Sequence, residues 1–413
     1  MDKKLLEKYA YLLVRTGLDV QPGQKVIIEA PVETYEFARI VSREAYNQQA
    51  GEVVIHYTDA YQDKLRAIYE DPTDVSRVRQ WEKDSLSEYL EEGACSLLFT
   101  SPNPHLMDDL SENRAHAIST HTNDKRNIIR NAIASKNIQW CIAAVPNLEW
   151  AKTVMKDVPE DQVLDAFWQQ ILDLVYVDNV HDPVATWKER QIQKGELQQK
   201  LTDLHLDSVH MTSSNGTDVT FGFHEDCSFG HRYVQKSGPD NVCNIPTEEI
   251  CTSPDKWRTN GKVVSSRPLL IGGKIIDEFE VTFKDGKAIN CKAKIGEELL
   301  RSTINTDEGS CYIGEFALVP YHSPISQSGY VYYNTLIDEN AACHFALGQS
   351  YAECVPGSEI WDEEQQEEHG LNQAQIHVDF MVGADDLLIE GYQPDGTKII
   401  VFENGSFTSE FDA

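Results

Sequence analysis

The 413-residue chain contains no run of about 18 apolar residues, so no segment is long and apolar enough to cross a bilayer as a helix. It has no C-x-x-C pair. Its nine cysteines are odd in number and scattered, which fits free thiols in a reducing cytoplasm better than a disulfide framework. No glycine-rich dinucleotide fingerprint follows any strand-like segment, which weakens a Rossmann cofactor reading. Positive charge is in short supply: 36 Lys and Arg face 67 Asp and Glu, a net charge of −31. That argues against nucleic acid as a partner, because phosphates would be repelled. The N-terminus, "MDKKLLEKYAYLLVRTGL", lacks the uninterrupted apolar core and small-residue cleavage site of a signal peptide. The spacing of Leu5, Leu6, Tyr9, Leu12 and Leu13 predicts an amphipathic helix instead.

What is present points to two domains. Early in the chain, strand-like runs ("QKVIIEA" at 24–30, "EVVIHYT" at 52–58, "ACSLLFT" at 94–100, "IQWCIAAVP" at 138–146) alternate with helical patterns. That alternation predicts an α/β N-terminal domain, 1–185, with a mainly parallel sheet. A helical bridge, "KERQIQKGELQQKLTDL", leads into a second domain, 186–413, expected to be β-rich α+β and, from the acids and histidines it holds, the metal-binding domain. Hairpin signals recur there at Asn215-Gly216, Asp285-Gly286 and Pro394-Asp395-Gly396. The stretch "EIWDEEQQEEHG" (359–370) carries six carboxylates in twelve residues and reads as a solvated loop or helix.

Candidate chemistry gathers in this second half. In "QIHVDFMV" (375–382), residues two apart share a face, so His377 and Asp379 stand side by side opposite an apolar face. A divalent metal accepts imidazole nitrogen and carboxylate oxygen together, although H-x-D is equally the pattern of a polar solvent face. Glu315 interrupts the apolar strand "CYIGEFALVP", and a buried carboxylate needs a cation or a donor; an exposed edge position is the alternative. "LIDENAACHFALGQSY" (336–351) predicts an Ala-rich helix capped by Asp338, with Glu339 in its first turn, His344 inside it and Tyr351 just past Gly348. "NIPTEEI" offers Glu248 and Glu249, one pointing inward and the other solvated. Glu249, Glu315, Glu339, His344, His377 and Asp379 together supply the donors of a two-metal hydrolase centre, if the fold brings them together.

The blocks "NIPTEE", "GEFALVP", "YYNTLIDENAACHFALG", "SY" and "IHVDFMVG", in this order, resemble the thermophilic metalloaminopeptidases of the aminopeptidase T, aminopeptidase S and PepS type. The opening "YAYLLVRTGLDVQPGQKVIIEAPVE" is similar too, so the resemblance spans essentially the whole chain. It implies hydrolysis of the N-terminal peptide bond of peptides with a free N-terminus, through a water activated by two divalent ions. Zinc or cobalt are the first candidates, with magnesium and manganese open. It implies Glu249, Glu315 (as a bridge), His344, His377 and Asp379 as metal ligands and Tyr351 as a catalytic residue. Glu339 is a ligand, a base or a supporting group, and either Glu249 or Glu339 carries the water proton. It also implies a homodimer. Two competing readings are a metal-dependent amidase acting on non-peptide amides and a catalytically silent scaffold that binds peptides.

Overall fold

The computed structural model describes residues 1–136, 138–230 and 240–411. The chain separates into two compact units. The first is built on Met1–Lys188. It also takes back residues 240–247 and Leu270–Lys274, so it is discontinuous, unlike the contiguous 1–185 stretch expected from sequence. The remainder from Glu189 onward forms the second unit.

The first unit is an α/β layer structure. Strands Lys25–Pro31, Glu52–Thr58, Cys95–Thr100 and Trp140–Ala144 fall where the apolar runs predict, and every described pairing among them is parallel. Asn244–Ile245 adds an edge strand beside Trp140–Ala144. The N-terminal helix, Lys3–Leu12, buries Leu5, Tyr9 and Leu12, and the Tyr9 hydroxyl donates to the Ala144 carbonyl at 2.9 Å. A stacked contact with Phe37 (5.2 Å between ring centroids) seats the same ring in the core.

The second unit is dominated by antiparallel sheets. All three hairpin signals lie between paired strands: Ser208–Thr212 with Asp218–Gly222, Lys274–Lys284 with Lys287–Ile295, and Leu388–Tyr392 with Lys398–Glu403. At Asp285-Gly286 both residues have positive φ (50° and 82°), the turn geometry whose twist matches that of the flanking strands. The helix expected as a bridge is Pro183–Thr202.

A separate four-stranded sheet runs His377–Met381, His344–Gly348, Ile313–Leu318, Ile250–Thr252. Its two faces have opposite characters, set by the period of two. Phe316, Phe345 and Phe380 align across three strands on one face. They pack edge-on and tilted against Phe221, Phe223 and Phe279 from the larger sheet, with ring centroids 4.5–5.7 Å apart. All six rings are buried, each worth roughly 3–5 kcal/mol on truncation. The other face carries the polar residues.

The expected Ala-rich helix over 336–351 does not form. Thr335–Asp338 is one helical turn, Glu339–Ala341 a 3-10 turn, and His344–Gly348 a strand inside the sheet. The alanines misled because in a fully buried strand they fill space rather than express helix propensity. Asp338 does not cap a helix start: it ends the turn, and its carboxylate accepts from the Tyr332 and Asn334 N–H groups. Gly348 closes a strand, not a helix. Its φ of +102° and the Ile376 carbonyl oxygen, 2.1 Å from where a Cβ would stand, require glycine.

Candidate metal centre

Strand register assembles the centre. Glu315 lies opposite Ala346, and Ala346 opposite Asp379, giving one row across three strands. His344 is two residues before Ala346 and His377 two before Asp379, so all five project from the same face. Glu249 enters from the end of the fourth strand, just before Ile250.

Two triplets of donor atoms result: Glu249, Glu315 and His344, and then Glu315, His377 and Asp379. Within each, the donor atoms lie within 4.8 Å of one another. Glu315 belongs to both and is only 3 % exposed, so the exposed-edge alternative for it is excluded. His344 Nε2 is 3.2 Å from Glu249 Oε2. His377 Nε2 is 2.9 Å from Glu315 Oε2, 3.3 Å from Asp379 Oδ1 and 3.1 Å from the Tyr351 hydroxyl. Glu339 is buried beside this set but belongs to neither triplet.

A model of the family described as thermophilic metalloprotease (M29) matches residues 2–407. Aminopeptidase AmpS of Bacillus subtilis is 34 % identical over 403 residues, covering 97 % of this chain and 98 % of that protein. Aminopeptidase PepS of Streptococcus thermophilus is 34 % identical over 407 residues, covering 98 % of each. The solved structure of wild-type AmpT from Thermus thermophilus superposes with a TM-score of 0.89 at 30 % identity, over 98 % of this chain and 99 % of that one. The chain belongs to this metalloprotease family. Divalent metal is therefore its cofactor, and the question becomes whether these residues suit it.

They do, on three observations. His344 Nδ1 meets the Ala342 carbonyl at 3.1 Å, and His377 Nδ1 meets the Gln349 carbonyl at 2.8 Å. A carbonyl only accepts, so both rings carry hydrogen on Nδ1 and turn Nε2 towards the carboxylates, the orientation a metal-binding imidazole needs. Asp379 Oδ1 is buried facing the centre with no well-formed hydrogen bond among the described residues, only the 3.3 Å approach of His377 Nε2. Finally, four buried or half-buried carboxylates, Glu249, Glu315, Glu339 and Asp379, converge on two imidazoles, a surplus of negative charge that a cation would balance.

The electrostatics express the same demand for positive charge. Burial pushes Glu315 up, with Asp379 adding repulsion against the pull of His377. Burial also lifts Glu339 well above the ordinary range, and the Glu249 and Asp379 charges lift it further. Burial acts to lower His344, but its hydrogen bond to Glu249 and the surrounding carboxylates prevail and raise it to about 10. Burial likewise opposes a proton on His377, and Asp379 and Glu315 overcome it. Burial acts to raise Glu249 and Asp379, yet their imidazole partners hold both below the usual carboxylate range. At Glu315, Glu339, His344 and His377 the shift favours protons where negative charge is concentrated.

Two expectations change in detail. Glu248 is not solvated: Arg190 Nη2 grips both its oxygens at 2.8 and 2.6 Å, leaving Glu249 to face the centre. The acidic stretch does form a surface helix, Glu363–Glu368, with no buried residue, but it is pinned by an ion pair from Glu367 to the buried Lys256. Sequence reasoning missed the carbonyls behind the imidazoles, which have no side-chain signature. It also missed Ser253. This buried serine accepts from the Tyr351 N–H at 2.8 Å and donates to the Tyr351 carbonyl at 3.1 Å, fixing the tyrosine backbone.

Proposed function

We propose that this metal-dependent aminopeptidase works through a two-ion centre in which Glu315 is shared, Glu249 and His344 complete one half, and His377 and Asp379 complete the other. The observation that carries the reading is the membership of Glu315 in both donor triplets. Zinc or cobalt suits the mixed imidazole and carboxylate donors, with magnesium and manganese less suited because imidazole favours the softer ions. Divalent ions held here supply Lewis acidity to the scissile carbonyl and bring a water's pKa towards neutrality.

The remaining work falls to the chain. Tyr351 is held next to His377, and its hydroxyl proton is retained because burial and the Glu315 and Asp379 charges push its pKa well above 10. It therefore donates a hydrogen bond to the oxyanion that develops as water attacks the carbonyl carbon. Glu339 is buried, outside both triplets, and disposed to hold a proton. It takes the proton released by the attacking water and passes it to the leaving amine as the C–N bond breaks. Unblocked peptides are preferred because a free α-amino group is attracted by the carboxylates, whereas an acylated one is not.

The test is hydrolysis of an aminoacyl-anilide beside its N-acetyl counterpart, with and without zinc or cobalt. Metal-dependent cleavage of the free amine alone agrees with the reading. Equal cleavage of both substrates moves the assignment to a general amidase.

A further inference from the structure

Asn340 has no role in the chemistry above, yet it is completely buried beside the centre. Its Oδ1 accepts from two consecutive backbone N–H groups, those of Glu248 (2.5 Å) and Glu249 (3.1 Å), over ninety residues away in sequence. Its Nδ2 donates to the Leu336 carbonyl at 3.0 Å and approaches Glu339 Oε1 at 3.4 Å. Its own carbonyl accepts from the buried Ser323 hydroxyl at 3.0 Å. Every polar atom of the side chain is thus committed.

The arrangement is directional. Residues 244–249 come in from a short edge strand and turn into Ile250–Thr252, so the Glu249 backbone is outside the regular ladder where it precedes the strand. Strand pairing fixes Glu315, His344, His377 and Asp379. It does not reach Glu249. The paired N–H groups of Glu248 and Glu249 are instead anchored by the Asn340 amide. Arg190 draws the Glu248 side chain to one side, which leaves the next carboxylate turned towards His344.

Resting on the two-ion reading, we infer that Asn340 is a positioning residue for one half of the centre: it holds Glu249 in place and thereby sets the affinity of the Glu249–His344 half for its ion, while the His377–Asp379 half is set by strand register. The Asn340 side chain thereby ties the Glu249 backbone to the turn carrying Glu339. An apolar residue at 340 would take the acceptor from both partly buried N–H groups, and the segment would shift to find another.

The experiment titrates full-length protein with zinc against a competing chelator, for wild type, Asn340→Ala, Asn340→Asp and His344→Ala, with circular dichroism and thermal unfolding on each. Asn340→Ala is expected to keep one tight ion and weaken the other about 10–100-fold, the usual cost of losing a group that orients a ligand. Asn340→Asp keeps an acceptor for both N–H groups and is expected to bind both ions within a few-fold of wild type; it also covers the case in which the alanine variant does not fold. His344→Ala is expected to lose the same ion that Asn340→Ala weakens. Two unchanged affinities in Asn340→Ala overturn the inference. So does parallel loss of both ions, or an Asp variant as weak as the Ala variant. If His344→Ala leaves both ions in place, the ligand assignment fails instead, and the two failures are told apart.

Discussion

Glu315→Gln is the most informative single change, because it keeps shape and removes charge at the one residue both triplets share. In metal-free protein two effects oppose each other. The Glu315 and Asp379 donor atoms lie within 4.8 Å, where two like charges at an effective dielectric near 20 repel by about 3.5 kcal/mol. The substitution relieves that repulsion. It also weakens the 2.9 Å contact with His377, a charged hydrogen bond contributing about 1.5–3 kcal/mol. The two terms nearly cancel, so metal-free Glu315→Gln unfolds within a few degrees of wild type. In metal-loaded protein nothing cancels, since both halves lose an anionic donor. Removing a group behind a ligand already costs about 10–100-fold, so loss of a shared ligand is expected to exceed about 100-fold at each ion. The stabilisation conferred by metal then shrinks by about 2.7 kcal/mol or more per ion. Chelator competition together with thermal unfolding, with and without zinc, measures both quantities. A variant that keeps both ions at wild-type affinity, or that loses one alone, refutes the shared role of Glu315.

Three further outcomes follow. Tyr351→Phe is expected to lower kcat about 10²–10³-fold with metal content unchanged, as steady-state kinetics beside elemental analysis will show; a parallel fall in bound metal assigns the hydroxyl to holding the centre together. The stability of metal-free protein should decline as pH rises: His344 is raised from 6.5 to about 10, so its proton stabilises the fold fully below about 6.5 and is lost through about 10. The raised Glu315 and Glu339 act in the same sense from lower pH. Calorimetry of chelated protein between pH 6.5 and 10 tests this, and a melting temperature that rises over the window contradicts it. Phe345→Ala, in the aromatic layer behind the centre, should cost about 3–5 kcal/mol in denaturant unfolding, and a loss under 1 kcal/mol would show that this face is not the core.

Much of the centre was legible because strands have a period of two. His377 and Asp379 advertise a polar face inside an apolar strand, and Glu315 does the same in a segment with no other charge. The parallel first unit was legible from its alternating runs. His344 was harder. "NAACHFALG" satisfies helix propensity, and only its pairing with Glu315's strand on one side and Asp379's on the other makes it a strand, a tertiary effect that no local window contains. The choice between Glu248 and Glu249 was equally closed to inspection, because it is made by Arg190, 58 residues earlier. The acceptors that turn the imidazoles are backbone carbonyls, present at every residue and therefore without a sequence mark. Asn340 does leave a trace: an amide between an acid and two alanines in a buried segment must find partners, and that alone marks it for attention.

Anomalous scattering from a crystal of the protein prepared with zinc or cobalt, collected at the corresponding absorption edge, tests the central claim most directly. The account predicts two peaks per chain, one contacting Glu249 and His344, the other His377 and Asp379, with Glu315 between them. A single peak that Glu315 does not touch, or two peaks remote from these side chains, would contradict it.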